Sequence, residues 1–308
     1  MHKNKYYLYL ALVIVIWGII PMVTVYFYDY LSAAVFNAMA ALISATAFAV
    51  LSRKSWHLMN RRYLLVAGIT GSCYSLATIL QRVGLQYTTP SMFAFLENTS
   101  CIVVPILLVL LVKKQSHALV WAASVLCLVG CFVLSGANFT GGFGIGEILC
   151  ALAGLLFSGN IVGTGHFGKG MHVTLYLTVQ MWVHVILSTT TMLLLHFIEK
   201  DGVPLETIRF EWRPGLVVAL ILIILISNTF CWTLRTKIIQ NANMTIVSIA
   251  MPLSAVVTMV ASVAAGTDTP SVALIAGAGI IVASLILSAI GEILQDKKAA
   301  KPDEVAVK

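Results

Sequence analysis

Phe93-Ala94-Phe95-Leu96-Glu97-Asn98-Thr99-Ser100-Cys101-Ile102-Val103-Val104-Pro105-Ile106-Leu107-Leu108 is apolar except for a short polar interruption, and Glu97 is its one charge. A run of this composition belongs in hydrocarbon. A carboxylate at membrane depth is rare because desolvation opposes its charge, and as a rule it faces a cavity and acts there. The alternative is a neutral acid hydrogen-bonded to a neighbouring helix.

The rest of the chain agrees with a membrane setting. Of its 308 residues, 59% are hydrophobic and only 10% charged, where soluble domains average about 25% charged. The mean hydropathy is +0.95. Apolar runs of about 20 residues match roughly 30 Å of hydrocarbon. Ten occur, near 7–28, 32–52, 64–86, 91–112, 118–136, 145–164, 173–197, 215–234, 243–265 and 270–294. Each must be helical, because lipid offers no partner to an open backbone group. The expected fold is therefore an all-α membrane protein of ten transmembrane helices.

The first run follows Lys3 and Lys5 and lacks a small-residue cleavage site, so it reads as a retained helix. Cys73, Cys101, Cys127, Cys131, Cys150 and Cys231 all fall inside the runs without a CxxC pair, as small packing residues do. With the N-terminus inside, fifteen of the 19 basic residues share one side, from Lys3 through Arg53, Arg62, Lys113, Arg235 and Lys237 to the tail. Only Arg82, Lys200, Arg209 and Arg213 lie opposite. Cytoplasmic loops carry the Lys/Arg excess, so both termini are expected in the cytoplasm, with the protein multi-pass in a plasma membrane such as the bacterial inner membrane. The net charge of +7 then reports topology rather than nucleic-acid binding.

Two links are long: a mixed-charge one at 198–214 and a glycine-rich one from Ser135 to Gly144, which divides the spans five and five. This suggests one repeat over 1–136, a second over 145–294 and a polar tail at 295–308. Leu10-Ala11-Leu12 with Trp17-Gly18 lies over Cys150-Ala151-Leu152 with Phe157-Ser158, and Tyr87–Ala94 has a counterpart in Gln240–Ser248. Five spans is an odd number, so a second copy must insert upside down, and inverted repeats of this kind place a substrate site between them near the midplane.

The run Gly84-Leu85-Gln86-Tyr87-Thr88-Thr89-Pro90-Ser91-Met92-Phe93-Ala94-Phe95-Leu96, followed by Val104-Pro105-Ile106, resembles the EamA branch of the drug/metabolite transporter superfamily. Gly146-Glu147-Ile148-Leu149-Cys150-Ala151-Leu152-Ala153 and Trp17-Gly18 are similar to that family as well. The resemblance runs from about residue 8 to 292. It implies a pseudosymmetric ten-helix carrier whose central cavity is lined by spans one to four and six to nine. The chain departs from the pattern at Phe36-Asn37-Ala38, where the family often has an arginine, and at Glu97, where it is usually uncharged. A cavity cation lost and an anion gained point to cationic or zwitterionic substrates.

Several constellations are candidates for that cavity. Glu97, Cys101 and Pro105 are spaced to share a helical face. Tyr74, Thr78 and Gln81 share another on span three, beside Arg82. Tyr176, Gln180 and His184 form a polar stripe on span seven. Asn37, Asn160, Asn228 and Ser248 add polar groups, and Trp17, Tyr74 and Trp232 are an aromatic wall suited to an ammonium group. Packing readings stand beside these: interhelical hydrogen bonds for the polar groups, snorkelling for Arg82. Gly163–Lys169 fits GxxxxGK, but Gly170 follows and the preceding element is a membrane helix, so a phosphate loop is excluded. Asn138-Phe139-Thr140 is a glycosylation sequon that matters only in a eukaryotic secretory host.

The expected function is a secondary transporter moving a small organic metabolite, an amine, organic cation or amino acid, by alternating access, with Glu97 as the proton-coupling candidate. A facilitative exporter of amino acids or nucleobases without proton coupling, and a multipass membrane enzyme, are the alternatives. No catalytic cluster, cofactor or metal is expected. The partners are a small-molecule substrate and the lipid bilayer, not nucleic acid, and monomer and homodimer both stay open.

Overall fold

The structure, a computed structural model, describes residues 2–85, 87–88, 90–113, 115–136, 144–200, 203–204, 208–241, 244–266 and 271–299. The sequon, the glycine-rich link over 137–143 and the tail beyond Ala299 lie outside the described residues, as does the side chain of Arg82.

Ten stretches are long and apolar enough to span a bilayer among the described residues. The first three spans are α1 (His2–Tyr28), α2 (Ala33–Ser52) running into a 3-10 turn at Arg53–Leu58, and α3 (Arg61–Leu85). The fourth is broken into α4 (Pro90–Glu97) and α5 (Ser100–Val112), and the fifth is α6 (Ala118–Ser135). The sixth and seventh are α7 (Ile145–His166) and α8 (Val173–Phe197). The eighth comprises α9 (Pro214–Ile224), a π-helical segment Leu225–Phe230 and α10 (Cys231–Asn241). The ninth is again broken, into α11 (Met244–Ala250) and α12 (Leu253–Ala264), and the tenth is α13 (Val272–Ala299). The tail expected to begin at 295 is thus still helical to Ala299. In the long link, β1 (Glu199–Lys200) and β2 (Val203–Pro204) form a small antiparallel hairpin.

Helix ends follow local chemistry. Gly136 closes α6 at φ 62, a left-handed cap that glycine adopts without penalty. Glu147 Oε2 accepts from the Gly144 N–H at 2.8 Å, and its Oε1 accepts from the Thr88 hydroxyl, tying the end of span three to the start of span six.

The packing shows the internal symmetry. The second and seventh spans pack on each other, as do the fourth and ninth and, most extensively, the fifth and tenth. Each is a span against its own counterpart five places on, the relation a two-fold exchange of the halves requires. Small residues set the close approaches, as lipid provides no hydrophobic drive to bring helices together. A Cβ on Gly277 of α13 would meet Leu134 N of α6 at 2.5 Å, and one on Gly18 of α1 would meet Val257 Cβ of α12 at 2.5 Å.

Candidate functional site

Spans one, four, six, eight and nine enclose a cavity of about 370 Å³. Trp17 comes from the middle of α1, Phe157 and Ile161 from α7, and Trp232 and Arg235 from α10. The two broken spans supply the rest: Glu97, Asn98 and Ser100 at one break, Met251, Ser254 and Thr258 at the other. At the second break Pro252 has no N–H, so the carbonyl of Ser248 loses its helical donor. Interrupted helices in corresponding positions of two halves are where carriers expose backbone groups to a substrate.

Glu97, the last residue of α4, is exposed within the bundle. Its exposed surface opens onto the cavity. Gln81 is its neighbour. The pair stops short of a hydrogen bond by geometry, since Gln81 Nε2 is buried without a partner.

Arg235 is 5% exposed. Its Nη1 donates to Asn160 Oδ1 at 3.3 Å, and its guanidinium carbon stands 4.5 Å from the centroid of the Trp232 ring. Asn160 is itself oriented by Nδ2 donating to the Thr70 carbonyl at 3.0 Å. Among the described residues no carboxylate pairs with this arginine. Sequence grouped Arg235 with the loop cations, and the structure corrects that. The apolar run stops at Leu234 because Arg235 and Lys237 follow it, whereas α10 continues to Asn241. The premise that the cavity holds an anion and no cation falls with it.

Aromatic rings back the cavity. Trp17 meets Trp232 edge-on at 5.8 Å, and Tyr74 packs on Trp232 and on His184 with centroids 4.7 Å apart in each case. Trp17 Nε1 donates to the carbonyl of Ser227 at 3.1 Å, a group within the π segment that also carries Asn228. Such π turns recur at functional sites.

Asn37, Thr78 and Gln81 line a second cavity of about 250 Å³, with Tyr28, Phe36 and Phe93. It lies at the end of the bundle where Ser32 N–H donates to the Arg209 carbonyl. Gln81, which lines this cavity, neighbours Glu97 of the first.

Other candidates go elsewhere. Cys101 is 0% exposed and packs with Cys127, Cys131 and Ala123 against α6. The spacing argument that put it on the face of Glu97 needs a continuous helix, and the break at Asn98–Thr99 rotates the two apart. Tyr176, Gln180 and His184 do share one face, but it is turned to α3 and α7. Tyr176 Oη bonds Thr70 and Thr164 hydroxyls at 2.6 and 2.9 Å, Gln180 Nε2 donates to Thr70 Oγ1 at 3.0 Å, and His184 Nδ1 lies 3.1 Å from Ser75 Oγ. Ser248 is buried with its hydroxyl on the Thr245 carbonyl at 2.9 Å. Tyr176, Gln180 and His184 form an interhelical seam, while the Ser248 bond stays within α11. Asn98, Ser100, Ser254 and Thr258 had no signal in composition, since small polar residues in a span are common. The matched interruptions Asn98-Thr99 and Met251-Pro252 were the clue available.

Known proteins resemble this chain. The family model of the EamA-like transporter family matches residues 4–136 and again 144–290. An uncharacterised transporter of Archaeoglobus fulgidus is 27% identical over 232 residues, covering 75% of this chain and 67% of that protein. A solved crystal structure shares the fold with a TM-score of 0.75 over 95% of this chain and 99% of the other, at 15% identity. With one family matched on each half of a ten-span chain, this chain belongs to the EamA-like transporter family.

Proposed function

We propose that the protein is a secondary transporter for a small zwitterionic metabolite of the amino-acid class, working by alternating access of its two halves. One observation carries this reading: Glu97 and Arg235 line the same cavity without pairing, beside the rings of Trp17 and Trp232. A substrate ammonium finds a carboxylate and aromatic faces, while its carboxylate finds a planar fork of donors. A purely cationic amine meets the Arg235 charge instead, which narrows the amine class expected from sequence. The cavity volume falls at the small end of ligand pockets, roughly 300–1,000 Å³.

Glu97 is also the proposed proton carrier. It lines the central cavity and neighbours Gln81, which lines the cavity at the end holding the 29–32 link, so a proton can replace the departing ammonium from that end. The Lys/Arg distribution favours both termini in the cytoplasm of a cell with this protein in its plasma membrane, so that this end faces outward. The 1–136 and 145–294 units serve as the two moving halves.

The test is flux of labelled amino acids into proteoliposomes under an imposed pH gradient, for the native protein and Glu97→Gln. The native protein accumulates substrate, and the variant loses accumulation driven by the gradient. Counterflow that survives in the variant assigns the carboxylate to proton coupling, and loss of binding as well assigns it to the substrate ammonium. Native behaviour in both assays removes Glu97 from the mechanism. Gradient-independent flux in the native protein favours a facilitative exporter.

A further inference from the structure

α10 carries two sites on opposite faces. Trp232 and Arg235 point to the central cavity, while Phe230 just before it, with Thr233, Leu234 and Lys237, faces α2. Between α2 and the eighth span runs an open groove of about 910 Å³, walled by Leu42, Ile43, Val50 and Leu51 on one side and Ile221 and Leu225 on the other. Among the described residues, Thr229 Oγ1 is buried there without a hydrogen-bond partner, while two other threonines turn their hydroxyls to their own helices. Thr46 Oγ1 donates to the Leu42 carbonyl at 2.8 Å and Thr233 Oγ1 to the Thr229 carbonyl at 2.7 Å. The symmetry counterpart of this interface, α3 against α8, is closed by protein: a Cβ on Gly71 would meet the Gln180 Cα at 3.0 Å.

The groove ends on a different kind of space. A polar cavity of about 540 Å³ is lined by Tyr6, Tyr9, His172, Gln240 and Asn241, and Thr174 and Lys237 line both it and the groove. His172 Nε2 lies 3.3 Å from Ser55 Oγ, which brings the 3-10 turn bearing Arg53 and Lys54 to the same place. An apolar trough thus leads into a hydrogen-bonding pocket whose charged lining residue, among those described, is Lys237.

We propose that this compound site binds one anionic phospholipid from the leaflet at the basic end of the bundle. Its phosphate sits at Lys237, its backbone passes Thr174, and an acyl chain fills the groove between α2 and α9. Basic pockets between membrane helices recognise anionic head groups in this way. A wholly apolar ligand gains nothing from Lys237, and a free phosphate leaves the groove unused. The lipid buttresses α10 from behind, on the face opposite Arg235.

Native mass spectrometry of the full chain, with phosphatidylglycerol and phosphatidylcholine supplied at equal concentration, tests this. One phosphatidylglycerol is retained in preference to phosphatidylcholine. Lys237→Ser lowers that preference about fivefold, the worth of one lysine near an anionic surface. Thr46→Trp fills the groove and removes the adduct with Lys237 intact, and Lys237→Gln and Ala47→Phe repeat the pair if either first variant misfolds. Equal binding of the two lipids, or insensitivity to the lysine change, overturns the proposal. So does a groove-filling change without effect while glycerol 3-phosphate displaces the lipid, because the polar pocket then acts alone.

Discussion

Replacing Arg235 by methionine separates a substrate carboxylate from a substrate ammonium. The guanidinium presents five N–H donors, of which one goes to Asn160, while its face lies on Trp232. The remaining donors are free to take a carboxylate in a site 5% exposed. Truncating one partner of a buried, hydrogen-bonded charge pair costs about 2–5 kcal/mol, roughly thirtyfold to a few thousandfold in affinity. The fold itself is expected to tolerate the change. Asn160 Oδ1 loses a donor and Trp232 a cation, but a desolvated charge also disappears, and replacing buried ions by apolar groups is often neutral. Isothermal titration of matched pairs, leucine against isoamylamine and phenylalanine against phenethylamine, reads the result. The native protein favours the amino acid of each pair, and Arg235→Met erases or reverses that preference with a near-native melting temperature. Arg235→Lys falls between, because it keeps the charge and loses the fork. Equal losses for acid and amine, or no loss for either, refute the assignment of Arg235 to a substrate carboxylate.

Trp17→Ala weakens an ammonium-bearing ligand by about 0.5–2 kcal/mol through the lost aromatic face, measured by the same titration; an unchanged affinity removes Trp17 from the site. Gly277→Leu drives a side chain into the α6 backbone, with Leu134 N at 2.5 Å and its Cα at 2.7 Å, and costs about 1–3 kcal/mol, read as a lower melting temperature. Gly279→Ala is its control, since a Cβ there meets nothing within 4 Å, and stability is held or raised. Reporter fusions at residue 308 and within the 198–214 link place the former in the cytoplasm and the latter outside; an external C-terminus reverses the orientation proposed from the Lys/Arg split.

The ten spans were legible because length and composition decide them: an apolar run that fills the hydrocarbon has no other stable conformation. The cavity was legible only where a residue contradicts its surroundings. Glu97 breaks an apolar run, and Trp17 and Trp232 are large aromatics deep within spans. Arg235 contradicts nothing locally, because Arg235-Thr236-Lys237 looks like the start of a basic loop. What marks it as interior is the apolar pair Ile238–Ile239 beyond it, each 1% exposed. Tyr176, Gln180 and His184 show the opposite difficulty. Their spacing identified a common face, but periodicity gives the face and not the neighbour, and that neighbour is the polar side of α3 rather than the cavity.

The distribution of the two charges over the fold bears on transport itself. Glu97 belongs to the first half and Arg235 to the second, each close to a place where helical geometry is interrupted: the α4–α5 break in one case, the π segment before α10 in the other. A zwitterion held at both ends therefore bridges the halves. Under the proposed alternating access, rocking of one half against the other would change the separation of the two groups, and with it the affinity for a ligand of fixed length. A ligand can shift a conformational equilibrium only by its differential affinity for the two states. A site with both charges on one half would move as a unit and bind equally in each state. On the proposed reading, the split placement makes substrate binding sensitive to the alternation that carries it across.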